Sequence, residues 1–195
     1  MTAFVIGNGT SRRGLDLHSL RPAGKIYGCN ALYRDFAPDF LFSTDPGIAK
    51  EIELSGYPEN NVFYTRKPSH CNSKTIELNY GYSSGPIAIS YAAEHGNKNI
   101  YLIGFDLQGI GNKHNNMYSD TENYKDSGSS ATFYGNWVNQ VFEISRKFHS
   151  TEFYRIDDGN TVRPDQWQHQ TNIKFQTIDE FVSEVNTVSW QKQKK

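Results

Sequence analysis

Ala3-Phe4-Val5-Ile6 runs directly into Gly7-Asn8-Gly9-Thr10-Ser11. The apolar run followed by a glycine-bounded turn reads as a buried strand entering a tight turn. Two glycines admit backbone dihedrals that other residues avoid, and they let a ligand approach the chain closely. If a helix starts after Ser11, its free N–H groups and its dipole face the same spot, which suits a phosphate. An ordinary strand, turn and helix without a ligand uses the same residues, so this turn alone specifies a fold and not a function.

Working outward from that turn, Lys25–Cys29, Asp39–Ser43, Asn61–Thr65 and Asn99–Gly104 read as further strands, with Asn99-Ile-Tyr-Leu-Ile-Gly104 the clearest. A short strand is expected near Thr75–Leu78, and Glu152–Ile156 reads as the last strand of the sheet. Between them fall one or two helical turns over Gly14–Leu20. A helix capped by Asp45 begins at Pro46 and ends near Ser55, with Gly56 closing it. Further helices are expected from Ser83-Ser84-Gly85-Pro86 to His95-Gly96, over Thr132–Phe148 and over Ile178–Val185. Strands alternating with helices imply an α/β Rossmann-like domain, with a mainly parallel sheet and helices on both faces. Residues 1–195 read as one such domain, a core to about residue 156 and a C-terminal extension over 157–195, with no internal repeat and no linker. Gln108–Ser130 is long, polar and rich in Gly, Asn and Ser. It is expected to be a mobile functional loop that closes on a ligand, because its composition promises little apolar burial.

Bulk properties narrow the function classes. The 195 residues carry a net charge of −1, so no strong field draws in nucleic acid or an anionic membrane. The basic residues are otherwise scattered, and Arg12-Arg13 and the terminal Lys192, Lys194 and Lys195 stand out, the last read as a solvated end. Cys29 and Cys71 are too few for a disulfide framework or a zinc site. Cys29 reads as a small core residue, and a reducing, cytoplasmic setting is expected. No basic segment precedes an apolar stretch at the N-terminus, and no apolar run reaches membrane-spanning length. Asp157-Asp158 reads as a solvated turn rather than a metal site, and no metal or cofactor is expected.

Chemistry gathers at the carboxyl ends of the strands. Gly7-Asn8-Gly9, Asn30, Thr44-Asp45 and Gly104-Phe105-Asp106 each follow a strand, and Ser83-Ser84-Gly85 opens a helix. In an open parallel sheet, ligands bind there, where connections diverge to opposite faces. Asn side chains both donate and accept, which suits a ribose or a base edge, and the N–H groups of Gly9 and Gly85 suit phosphate oxygens.

Taken in order, Gly7-Asn8-Gly9-Thr10-Ser11, Cys29-Asn30-Ala31-Leu32-Tyr33, Ser83-Ser84-Gly85 and Ile100-Tyr101-Leu102-Ile103-Gly104-Phe105-Asp106 resemble the motifs of the bacterial CMP-sialic-acid-dependent sialyltransferases, glycosyltransferase family 42. The resemblance spans roughly residues 3 to 148 and implies a metal-independent enzyme with a CMP pocket. It assigns Asn8, Gly9, Ser11, Asn30, Ser84, Gly85 and Asp106 to the nucleotide; a carboxylate at Asp45 has to face the ribose or base, or else the ligand differs. Asp45 stands where that family has Asn before proline. The family's general-base histidine follows a Tyr-x-Gly sequence, whereas here Phe133-Tyr134-Gly135 is followed by Asn136, which cannot take a proton near neutral pH. Tyr134, Tyr118 or Tyr124 is then expected to hydrogen-bond the leaving phosphate, and His114 in the long loop is the substitute base. His149 is the poorer alternative.

The function expected from these readings is sugar transfer from a nucleotide-sugar donor to a hydroxyl of a glycan or other acceptor. A non-catalytic nucleotide-binding or sequestering protein is the alternative, favoured by Asn136, and a structural or interaction protein with a vestigial pocket is the third.

Overall fold

A computed structural model describes residues 1–79, 81–159 and 161–193, without the side chains of 186–193. The expectation of a solvated tail at Lys192, Lys194 and Lys195 lies outside the described side chains. Eight strands form one open sheet: β1 Thr2–Ile6, β2 Lys25–Cys29, β3 Phe40–Ser43, β4 Phe63–Thr65, β5 Lys74–Thr75, β6 Asn99–Ile103, β7 Glu152–Asp157 and β8 Ile173–Thr177. Their order across the sheet is β5-β4-β3-β2-β1-β6-β7-β8, and every pairing is parallel. This is the Rossmann-like α/β arrangement that the alternation of elements predicts. The chain winds outward from β1 to β5, returns to the centre at β6 and winds outward the other way.

Each central strand is apolar on both faces because each face carries its own core. Phe4 and Ile6 of β1, with Ile26, Leu41 and Ile103, pack against α1 (Pro46–Leu54) and Phe181 of α5 (Ile178–Gln193). Ala3 and Val5, with Phe42, Ile100 and Leu102, pack against α2 (Ser84–Glu94), α3 (Gly135–Lys147) and Trp167 of α4 (Asp165–Gln168). Aromatics carry much of this core: Phe4 stacks on Tyr101 and Tyr101 on Tyr154.

Several sequence expectations need correction. β7 is not the last strand, since β8 pairs with it in register from Phe153–Ile173 to Asp157–Thr177. No full helix follows Ser11, because only the 3-10 turn Thr10–Arg12 forms there. Asp45 occupies the N-cap position of α1, but its side chain makes no capping bond. Asp157 is not solvated: it is 1% exposed and accepts from the Gly159 N–H at 2.8 Å. The 108–130 loop, expected to bury little, places Tyr118, Asn115 and most of Tyr124 inside the protein.

Candidate functional site

The carboxyl ends of β1 and β6 lie side by side where the winding reverses, which is where a parallel sheet opens a crevice. A cavity of about 170 Å³ sits at that point. Asn8, Gly9, Asn30, Asp45, Ser84, Gly85, Asp106, His114 and Tyr134 all line it, so nine of the side chains or glycines singled out from the sequence come together. Ser11 and Asn136 do not line it, and Asn136 is exposed on the first turn of α3. Gln108, Asn115, Asn116, Phe105 and Trp137 complete the chemically distinctive wall.

The glycine turn is not a free phosphate cradle. Gly7 N–H donates to Ile103 O and Gly9 N–H to Gly104 O, both at 2.8 Å. Thr10 N–H donates to Asn115 Oδ1 at 3.1 Å, and Ser11 N–H to Asp106 Oδ2 at 3.0 Å. The Ser11 hydroxyl also donates to Asp106, and Asn115 Nδ2 donates to the same carboxylate at 2.9 Å. Asp106, 5% exposed, is therefore an internal anion seated where a phosphate was expected. Gly9 is required by this seating, because a Cβ there would stand 2.6 Å from both carboxylate oxygens. The expected phosphate-binding roles of Gly9 N–H and Ser11 give way to this network.

Other hydroxyls are similarly engaged. Ser84 Oγ accepts from Thr44 N–H at 2.9 Å and pairs with Thr44 Oγ1 at 3.0 Å, joining the end of β3 to α2. Tyr124 Oη accepts from Asn8 Nδ2 at 3.3 Å and from Ala31 N–H at 3.2 Å, and Tyr118 Oη accepts from Arg12 at 3.1 Å. Burial pushes both phenols above their ordinary range. Both are structural, which corrects their expected role at a leaving phosphate. Cys29, which also touches the cavity, is buried and its thiol is pushed up to about 12 by burial, as suits an inert core residue.

Several buried polar atoms left without a partner line this cavity. Asn8 Oδ1, Asn30 Oδ1 and both ring nitrogens of His114 are buried without a partner, whereas the Tyr134 hydroxyl lies against the Asn115 backbone. Buried polar groups are normally paired, so an unpaired set lining one cavity points to a ligand that completes it. Asn30 is held in the left-handed region at φ 53° immediately after β2, with its amide nitrogen donating to Asp45 at 3.3 Å. His114 is anchored through its backbone N–H to Ser129 O at 2.9 Å. Burial, then the Lys125 charge, lowers its pKa against an opposing effect of Asp120, so the ring is neutral and able to take a proton at pH 7. Tyr134 ionises above its ordinary range, chiefly from burial, so it is a proton donor at neutral pH. Ser84 and Gly85 present the first N–H groups of α2, an eleven-residue helix, to the same space.

Three supporting groups escaped the sequence reading. Arg12, 5% exposed, donates to Gly7 O at 2.9 Å, and Arg155, fully buried, donates to Phe105 O, Asp106 O and Val162 O at 3.0, 2.9 and 2.6 Å. They fix the ends of β1 and β6 from beneath. The signal for Arg155 was its parity in β7, since Phe153, Arg155 and Asp157 alternate on one buried face. The third is Glu51 on α1, which accepts from Arg34 at 2.7 and 2.8 Å, Tyr33 at 2.6 Å and Asn123 at 2.7 Å. Arg34 in turn holds Thr121 and Glu122 of the long loop.

Among the described residues, no three His, Cys, Asp or Glu side chains are grouped to hold a metal ion, and no helix is long and apolar enough to cross a membrane. No protein-family model, curated protein or solved structure matches the chain.

Proposed function

We propose that the chain binds a nucleotide-sugar in this cavity and transfers the sugar to an acceptor hydroxyl, as in the sialyltransferase-like enzymes its motifs resemble. The observation that carries this reading is the set of buried, unpartnered groups at Asn8, Asn30 and His114. Asn8 Oδ1 and Asn30 Oδ1 accept from ribose hydroxyls or a base amino group. The acceptor oxygen forms its bond to the anomeric carbon as the bond from that carbon to the phosphate oxygen breaks, and the nucleotide leaves with the electron pair. His114 takes the acceptor's proton. Tyr134 and the α2 N-terminus stabilise the departing charge. The cavity is smaller than the ~300–1,000 Å³ usual for small-molecule sites, so the 108–130 loop has to shift to admit the donor.

One observation favours a non-catalytic nucleotide-binding protein instead: among the described residues, no Lys or Arg lines the cavity. A transfer assay separates the two readings, using a panel of nucleotide-sugars, CMP-linked ones first, with mixed glycan acceptors. Transfer that falls about 10²-fold or more in His114→Ala, at unchanged donor affinity, supports the enzyme. Tight nucleotide binding without transfer supports the binding protein.

A further inference from the structure

A second concavity, of about 740 Å³, opens beside the first, across the Thr44-Asp45-Pro46 segment. Asp45 faces the first cavity, whereas Thr44 and Pro46 line the second. One wall is α1, with Lys50 and Glu53, and the other is the segment after β4, with Arg66, Lys67 and His70. Glu53 shapes this groove. Its carboxylate, 8% exposed, accepts from Ser69 N–H at 3.0 Å, His70 N–H at 3.1 Å and the Ser69 hydroxyl. Burial alone would raise its carboxyl, but the bonds from Ser69 and His70 outweigh that and hold it below the ordinary range. Its charge is thus spent on folding the 66–70 segment against α1. Three cations, Lys50, Arg66 and Lys67, then face one internally bonded carboxylate, in a chain whose net charge is −1. Lys50 and Lys67 enter no ion pair among the described residues.

We propose that this groove binds the anionic group of an acidic small molecule or glycan terminus, a carboxylate or a phosphate, and that this molecule is the acceptor. The acceptor role rests on the transfer reading above, whereas anion binding in the groove does not. A carboxylate or phosphate held between Lys50 and Lys67 leaves the rest of the molecule to reach past Asp45 towards His114. Among the described residues no Lys or Arg lines the first cavity, so the acidic group has no comparable place there.

Amide NMR titrations of the full chain with galacturonate, galactose 6-phosphate and galactose test this. The two acids, or the one whose geometry fits, should shift the amides of Lys50, Lys67 and Ser69 in a saturable, salt-sensitive manner. Neutral galactose should not. The double variant K50Q/K67Q, with both changes on exposed side chains, should weaken acid binding about tenfold, the combined effect of two exposed ion pairs. It should leave a CMP titration of the first cavity unaltered. Equal shifts with galactose, no saturable shift with either acid, shifts centred on Asn8 and Asn30, or unchanged affinity in the double variant would overturn the proposal. If acids titrate the groove but no nucleotide binds, the transfer reading falls and the anion site stands.

Discussion

Gly9→Ala isolates the reason for the glycine turn. Gly9 has φ −65° and ψ 148°, which alanine adopts without strain, so the backbone does not demand glycine. The demand comes from Asp106. The added Cβ would lie 2.6 Å from both carboxylate oxygens, and contacts under 3.0 Å essentially never occur. The carboxylate carbon would be nearer still, at 2.4 Å, so the group has to withdraw by about 0.6 Å, taking the 2.9–3.0 Å bonds from Ser11 N–H and Asn115 Nδ2 past the usual ~2.7–3.2 Å range. Overpacking costs roughly 1–3 kcal/mol, and weakening bonds to a buried charge adds about 1 kcal/mol, so Gly9→Ala should destabilise by ~2–4 kcal/mol. Asp106→Ala alone should cost a similar amount, since it strands the Ser11 and Asn115 donors. In the Asp106→Ala background the clash is gone, and Gly9→Ala should be within about 1 kcal/mol of neutral. Urea unfolding of the four proteins, with m held constant across the set, gives the coupling. Additive effects would refute the steric account.

His114 also predicts a pH dependence. Its folded-state pKa is lowered, so the unfolded chain binds the extra proton; the stability it contributes is present above about pH 6.5 and is lost as pH falls through the lowered folded value. His95 is lowered by burial and shares the sign. Stability curves should therefore flatten only in part in His114→Gln, and a curve identical to the parent's would contradict the burial of this ring. Glu51→Ala should release the long loop without unfolding the sheet: hydrogen exchange at Tyr118, Tyr124 and Ser129 should rise by about tenfold, as expected from losing a partly buried Arg34 pair and the Asn123 bond. Unchanged exchange there would show that Asn115 and Met117, not Glu51, hold the loop.

The sheet was legible because its central strands are unbroken apolar runs. Ala3–Ile6 and Ile100–Ile103 are buried on both faces, and such runs announce themselves. β8 was missed because it is an edge strand. Only Ile173 is fully buried, and Lys174 and Gln176 dilute the run. The cavity was legible in outline because strand ends and helix starts are marked by Gly, Asn and Ser, whose local conformation forces them there. The division of labour inside it was not. Asp106 meets Ser11 across 95 residues and Asn115 meets Thr10 across 105, and no local pattern encodes such pairings. The long loop misled for a related reason. Its composition is polar, yet its few aromatics, Tyr118 and Tyr124, are the residues that turn inward, against Arg12 and Asn8.

The central claim is that the unpartnered groups around the β1–β6 crevice are completed by a nucleotide. Calorimetric titration of CMP, UMP, GMP and AMP into the parent protein and Asn30→Ala tests it most directly. Asn30→Ala removes this unpaired acceptor together with the exposed bond to Asp45, and it leaves alanine at φ 53°, so the melting temperature should fall somewhat and the loss of affinity is read on the folded protein. The account predicts one-to-one binding of at least one nucleotide, weakened about tenfold in Asn30→Ala, the usual effect of losing one buried hydrogen bond. Absence of binding by every nucleotide at millimolar concentration, or equal affinity in the two proteins, would contradict it.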